Sequence, residues 1–501
     1  MIKSLEVNKF FSALDLKPSG IGGNPLYIFL ANNRKKILYT DDLLALLGHP
    51  EVHSSLYIDN ENISHLLQCG VVPPPNTVYK NLFLLGIGDT ATISNYQESL
   101  VIKFQHEFVY TEEKLKKTNN HIFQEEVLFE KLASATRSKA DMSKKINLFH
   151  TAGKDSNMIA LALSRYFEPE QLRFVCHESE GDSDESKISR EIAKKLNVEH
   201  LTIKADLELT EEYLTHLREY FRDAPFPLLD NVTMAFPEYV MNYPDLEDSN
   251  IVIGDGNDTY MMSPPSLRDE IGILINKYFN IKPLASYVNS ENPLVQLCRT
   301  PFEWARMSGF NNEDSRALYD GFVSVSEHWY KMRDKYRFSS ALDIKSHSYA
   351  CFMIYEVYLR KFRNYSSHIN SNLIMPFFDP AVIDEILKYN KNLIIDKRSR
   401  RNKPIFRDVI KKHLDVDSDA IGKKGYTLNT VKFIYENRKW ISIQILECSL
   451  WNRPAAENIL DRLYASTKSK GWRSSSAARL IHRLLLISLW FNNSQYIRNA
   501  K

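Results

Sequence analysis

Ile146-Asn-Leu-Phe-His-Thr-Ala-Gly-Lys-Asp-Ser-Asn-Met-Ile-Ala160 changes character twice within fifteen residues. Ile146, Leu148 and Phe149 make an apolar, β-prone run. A short polar turn follows, and apolar residues then recur at Met158, Ile159, Leu161 and Ala162 with helical spacing. A strand that feeds a small-residue turn and opens a helix is an anion cradle. The first N–H groups of the helix lack intrahelical partners, and the dipole is positive there. Gly153 lets the backbone approach an anion, and Thr151 and Ser156 add hydroxyl donors. Asp155 places a carboxylate in this anion site, which makes sense when it holds a hard cation such as Mg²⁺ that bridges to phosphates.

Working outward, strand and helix patterns alternate: 146–150, 156–166, Leu172 to His177, 184–196, and His200 to Ile203. This alternation predicts an α/β fold with a doubly wound, mostly parallel sheet, whose ligands sit at the carboxyl ends of the strands. A helical stretch over 209–222 and the loop Asp223-Ala-Pro-Phe-Pro227 come next, and a helix opens near Asp230. Ile251-Val-Ile then reads as a buried strand that runs into the glycine-rich Gly254-Asp-Gly-Asn-Asp258. Residues 266–500 are mostly helical in pattern, so the C-terminal half is expected to be helical. On the other side, residues 1–112 read as a small α+β domain. It holds a hairpin around Leu26 to Tyr39, helices at 41–48 and 61–69, a rigid Val71 to Thr77 connector, and strands at 80–86, 90–95 and 99–110. The expected domains are therefore 1–112 and 113–501, with a charged helical link from Glu113 to Lys145.

A chain of 501 residues carries more than one core's worth of sequence. A net charge of +2 gives no electrostatic footprint for nucleic acid. The five cysteines are scattered without a Cys-x-x-Cys pair, which argues against a disulfide framework or a zinc site and fits a reducing compartment. The first residues lack the apolar core of a signal peptide. Leu484-Leu-Leu-Ile-Ser-Leu-Trp-Phe491, the most apolar run, is far short of a membrane span, so the chain reads as cytoplasmic.

Thr151-Ala-Gly-Lys-Asp-Ser156 resembles the pyrophosphate-binding loop Ser-Gly-Gly-x-Asp-Ser of the ATP pyrophosphatase superfamily, with Thr for Ser and Ala for Gly. Four further segments follow in the order and spacing of the asparagine synthetase family. Phe174-Val-Cys-His-Glu-Ser with Ser183-Asp-Glu-Ser186 is similar to its second strand and helix start. Gly254-Asp-Gly-Asn-Asp258 is similar to its glycine-rich turn, Met375-Pro-Phe-Phe-Asp379 to its Pro-Phe-Leu-Asp segment, and Lys423-Lys-Gly-Tyr426 to its Lys-x-Gly-Phe segment. The resemblance implies ATP and Mg²⁺ as cofactors and a site built residue by residue. Thr151, Gly153, Asp155, Ser156 and Gly254 would hold the phosphates, and backbone groups around Phe149 and Cys176 would bracket the adenine. Asp258 ends a strand at the same sheet edge and would share the metal with Asp155. Asp255 would lie beside the reacting acyl group and orient or deprotonate the amine. Lys423, favoured over Lys424 by its spacing to Tyr426, would stabilise charge on the α-phosphate.

The departures are equally informative. Glutamine-dependent members begin with a catalytic cysteine, whereas residue 2 is Ile2 and no cysteine precedes Cys69. The N-terminal domain is thus expected to be a degenerate glutaminase. Asp258 is followed by Thr259 where the family has Glu, and Asn372-Leu-Ile374 replaces its Glu-x-Arg. These losses resemble the tailoring branch, the β-lactam synthetases and lasso-peptide cyclases. The expectation is an AMP-forming amide ligase acting on a small molecule or peptide that carries both carboxylate and amine, without nucleic acid or membrane partners. Alternatives are an RNA-modifying relative and a non-catalytic nucleotide-binding relative. Glu356, in the apolar helix Cys351 to Leu359, is a further acid–base candidate whose plainer reading is a surface glutamate.

Overall fold

The computed structural model describes residues 1–7, 13–18, 25–116, 121–179, 184–279, 300–302, 309–422, 428–469 and 471–497. Seven strands come first: β1 (Lys3–Glu6), β2 (Leu14–Leu16), β3 (Leu26–Leu30), β4 (Lys36–Thr40), β5 (Leu82–Leu85), β6 (Asp89–Tyr96) and β7 (Ser99–His106). They pair antiparallel in two sheets, β1-β4-β3-β5 and β2-β6-β7. Gln97 and Glu98, both at positive φ, make the two-residue turn between β6 and β7, the geometry that matches strand twist. Alternate residues of the strands form a small core of Leu16, Ile28, Ile37, Leu85, Ala91, Ile93 and Leu100 that draws on both sheets. The other face of β3 points elsewhere. Tyr27 and Phe29 join the large core that also contains the second half of the chain. The expected hairpin is β3–β4, but the N-terminal unit does not bury its apolar surface on its own.

Five parallel strands build the central sheet: β8 (Ile146–Phe149), β9 (Leu172–His177), β10 (Glu199–Ile203), β11 (Asn250–Val252) and β12 (Asn372–Ile374), in the order β10-β9-β8-β11-β12. Ile146, Leu148, Leu172, Phe174, Ile251 and Val252 are all buried, as strands covered on both faces require. β8 lies between β9 and β11, so the strand order reverses beside it. The crevice at the carboxyl ends of β8 and β11 is where such sheets hold ligands.

β12 is a short interruption of the second half, which is mostly helical as expected. Asn372-Leu-Ile374 is too short to show a period, yet it closes the sheet beside β11. The rest of the second half is largely helical, up to the buried C-terminal helix Trp472–Asn493. One stretch, Tyr349–Leu359, is wound as a wider π-helix. No described helix is long and apolar enough to cross a membrane. Cys69, Cys176, Cys351 and Cys448 are buried free thiols.

Candidate active site at the carboxyl edge of the sheet

The loop between β8 and the helix Lys154–Tyr166 is tied by its own side chains. Gly153 N–H donates to Thr151 Oγ1 (3.0 Å), and Thr151 N–H donates to Ser156 Oγ (3.2 Å). Asn157 Nδ2 donates to Gly153 O (2.8 Å). No side chain caps the helix at Gly153, and its dipole points into the turn. Gly153 itself has an ordinary φ of −68°. A Cβ there would stand 2.8 Å from Thr151 Oγ1, so the glycine makes room for that hydroxyl and is not needed for backbone freedom. Gly254 is the close approach. A Cβ on it would lie 3.1 Å from Ser156 N and 3.3 Å from the Asp155 carbonyl carbon, because β11 exits directly across the first turn of the helix.

Asp155 and Asp258, 103 positions apart in the numbering, meet over one cation. Lys403 Nζ lies 2.8 Å from both Asp155 carboxylate oxygens and 2.5 Å from Asp258 Oδ1. It also donates to Asn257 Oδ1 (2.8 Å), and Asn257 Nδ2 in turn donates to Asp155 Oδ1 (2.6 Å). Lys403 is 1% exposed and sits at φ 55° immediately before the helix Pro404–Leu414. Burial by itself would lower its pKa; the two carboxylates outweigh burial and hold it above the ordinary lysine value. The donor set of two carboxylates and an amide oxygen also fits a hard divalent cation. Lys154 is close by, its pKa lowered by burial and by Arg407. The mouth of the loop is therefore rich in positive charge.

A cavity of about 290 Å³ opens beside this cluster, lined by Phe149, Thr151, Gly153, Asp155, Ser156, Gly254 and Asp255 among others. Burial pushes the Asp255 carboxyl up to about 6; Lys361 opposes that shift, and Asp155, Asp258 and Asp230 reinforce it. Lys361 also lines the cavity and is anchored 3.0 Å from Asp230 Oδ2. Tyr349 and Tyr358 lie within the fields of Asp255 and Asp258, which with burial raise both phenols. A second chamber of about 430 Å³ lies against the N-terminal unit, lined by Tyr27, Asp42, Tyr355, Arg360, Arg363 and Asn364 among others.

Of the residues expected from sequence, Phe149, Thr151, Gly153, Asp155, Ser156, Gly254 and Asp255 line the one cavity, and Asp258 joins Asp155 through Lys403. Cys176 does not line it. The strand alternates there, so Val175 and His177 face the cavity, while Cys176 is buried with its thiol pushed up to about 12 by desolvation. Lys423, Lys424 and Tyr426 lie outside the described residues, as does the side chain of Glu356. His150 is a packed core histidine, stacked on Phe174 and bonded to Ser189 and Asn157. His177 is held by Tyr239 Oη at 2.5 Å. Sequence reasoning missed Lys403, Asn257 and Lys361. Asn257 was inside the quoted turn; Lys403 was signalled only by Pro404, which starts a helix and leaves the preceding residue outside it.

The remaining motifs brace this edge. Phe378 packs so closely on Gly256 (φ 122°) that a Cβ there would stand 2.5 Å from its ring. Tyr260 Oη donates to Phe377 O (2.9 Å), and Asp379 caps the helix Pro380–Leu387. Thr259, standing where a family Glu was expected, turns inward and donates to Gly256 O (2.7 Å). No curated protein matches the chain at a significant level. The sequence model of one family, asparagine synthase, matches residues 128–492. That span starts at the helix leading into β8 and includes the phosphate loop, the glycine-rich turn, β12 and Lys403. It covers well over half of the chain, which therefore belongs to the asparagine synthase family, a family of ATP-dependent amide ligases.

Proposed function

We propose that the protein is an AMP- and pyrophosphate-forming amide ligase that adenylates a substrate carboxylate and couples it to an amine of the same molecule. The observation that carries this reading is the meeting of Asp155 and Asp258 at the mouth of a phosphate loop, beside a cavity that Asp255 lines. ATP would place its phosphates on Thr151, Gly153, Ser156 and Gly254, and its base between the ends of β8 and β9. Asp155 and Asp258 would hold Mg²⁺, which supplies charge neutralisation to the phosphates when bound. In the first step a substrate carboxylate oxygen bonds to the α-phosphorus, and the bond to pyrophosphate breaks. In the second, the amine nitrogen bonds to the acyl carbon, AMP leaves, and Asp255 takes the proton the nitrogen gives up. A carboxyl near 6 is ionised at neutral pH and still basic enough for that role. Lys403 and Lys361 supply fixed positive charge around the developing anions, and Lys423 is proposed as a further cation at the α-phosphate.

Two features support an amine source other than glutamine. The only cysteine before Cys176 is Cys69, which is buried and receives the indole N–H of Trp329 at 3.1 Å. Asn372-Leu-Ile374 also stands where the resemblance has Glu-x-Arg, so neither charged side chain is present there. The substrate is proposed to be a small molecule or peptide carrying both groups, with no nucleic acid taking part.

Incubation of the full chain with Mg·ATP, hydroxylamine and a panel of amino acids and acidic peptides tests the reading. Hydroxamate and AMP should rise together with at least one member of the panel, and Asp155→Asn should remove both. Release of ADP in place of AMP, or no calorimetric binding of Mg·ATP, would overturn it.

A further inference from the structure

Away from the cleft, three metal-ligating side chains converge where the N-terminal unit meets the helical half. His106 is the last residue of β7. His347 is the penultimate residue of the helix Ala341–Ser348, and Cys351 lies one turn on, in the π-helix Tyr349–Leu359. One ligand atom from each lies within 4.8 Å of the others. His106 Nε2 is 2.7 Å from His347 Nε2 and 3.5 Å from Cys351 Sγ. His347 and Cys351 are buried, and His106 keeps 19% side-chain exposure.

Hydrogen bonding alone accounts poorly for this arrangement. His106 Nδ1 already faces Asp89 Oδ1 at 2.7 Å, and Asp89 is fixed by the Gly86 N–H at 2.8 Å. With its Nδ1–H donated to that carboxylate, His106 has a single in-plane lone pair at Nε2. That one lone pair faces both His347 Nε2 and Cys351 Sγ, so hydrogen bonds alone would have to share it. A cation among three lone pairs resolves the conflict. The carboxylate–histidine pair is also the usual outer partner of a metal-bound imidazole, since it fixes the tautomer and raises basicity. Bond lengths of ~2.0 Å to nitrogen and ~2.3 Å to sulfur in a tetrahedral site put N and S about 3.5 Å apart, and two nitrogens about 3.3 Å apart. The His106 Nε2···Cys351 Sγ separation of 3.5 Å already matches, the two imidazoles must part by about 0.6 Å, and the His347–Cys351 pair starts within 4.8 Å.

We infer that His106, His347 and Cys351 form a binding site for a borderline-soft divalent cation such as Zn²⁺, with Asp89 as the positioning carboxylate. Binding converts Cys351 to the thiolate, whose proton is released to solvent as the metal–sulfur bond forms, and moves the single proton of neutral His347 from Nε2 to Nδ1, which frees the Nε2 lone pair for the metal. Water fills the fourth position. The ion joins β7 to both helical segments and fixes the π-helix that carries Tyr349 and Tyr358 beside the nucleotide cleft. Its part is that of a clasp between the two halves of the chain. The His-x-x-x-Cys spacing of 347 and 351 carries this signal, and a search for Cys-x-x-Cys pairs passes over it.

The test uses the full chain, stripped with a chelator and titrated with Zn²⁺ and with Co²⁺. One equivalent of zinc per chain is expected by elemental analysis, and cobalt should show a thiolate charge-transfer band with tetrahedral ligand-field bands. Cys351→Ser should abolish the charge-transfer band, His347→Gln should weaken zinc binding at least tenfold, and Asp89→Asn should weaken it by roughly 10–100-fold. The Asp155→Asn variant should bind zinc as the unmodified chain does, which separates this site from the cleft. Absence of stoichiometric zinc, cobalt binding without the thiolate band, or unchanged affinity in both Cys351→Ser and His347→Gln would overturn the assignment.

Discussion

Asp255 is the residue at which the chemistry of the cleft and the stability of the fold pull in opposite directions. Burial disfavours the charged form and pushes its carboxyl up to about 6, above the ordinary aspartate range. A raised folded-state value means that the native state holds its proton more tightly than the unfolded chain does. The resulting stabilisation is complete below about pH 4 and is lost as pH rises through 6. Above that window the ionised side chain costs the fold up to about 3 kcal/mol, at ~1.36 kcal/mol per pH unit of displacement. Asp255→Asn should therefore unfold at higher temperature than the unmodified chain at pH 8, with the gain vanishing near pH 4. The same variant should bind Mg·ATP and lose amide formation. Scanning calorimetry at the two pH values, with a coupled AMP assay, reads both effects, and equal melting temperatures at pH 8 would contradict the burial argument.

Among elements, the turn that follows β11 is the most constrained. Gly256 combines φ 122° with a ring against its missing Cβ, so Gly256→Ala meets backbone strain and overpacking together. A loss of about 2–4 kcal/mol in urea unfolding is expected. Gly254→Ala touches only the first turn of the phosphate helix and should spare stability relative to Gly256→Ala. This turn was legible in the sequence, because glycines flanking an aspartate after an apolar run leave few other readings. The phosphate loop and strands β8 to β11 were legible for a similar reason, since buried strands alternating with amphipathic helices leave a strong periodic trace. β12 left none, being three residues long and defined by the edge it pairs with. Lys403 was equally silent. A lysine ahead of a helix looks like any surface lysine until the chain brings it back, after many intervening residues, to two carboxylates.

On the scale of the whole molecule, the sequence suggested two domains, and the packing joins them. The helix Asn60–Cys69 docks on the second half through Ser64 Oγ accepting from Val323 N–H (3.0 Å), Gln68 Nε2 donating to Val323 O (2.9 Å) and Asn60 Oδ1 accepting from Tyr319 Oη (2.7 Å). Tyr27, Phe29, Leu66 and Leu67 belong to the same apolar cluster as Leu148, Ile251 and Leu485. Side-chain periodicity shows that a face is apolar but not what covers it, so this union was invisible in the sequence. One cooperative calorimetric transition is expected for the full chain, and residues 113–501 expressed alone should aggregate. Two separable transitions, or a soluble and folded fragment, would show that the halves are independent. The helix Arg360–His368 gives this union a further meaning. Lys361 and Phe362 face the smaller chamber, while Arg360, Arg363 and Asn364 face the larger one against the N-terminal strands. A single rod thus serves as the party wall of two rooms. Were a guest in one chamber to shift this helix, linkage would require that binding in the other chamber change by the same free energy.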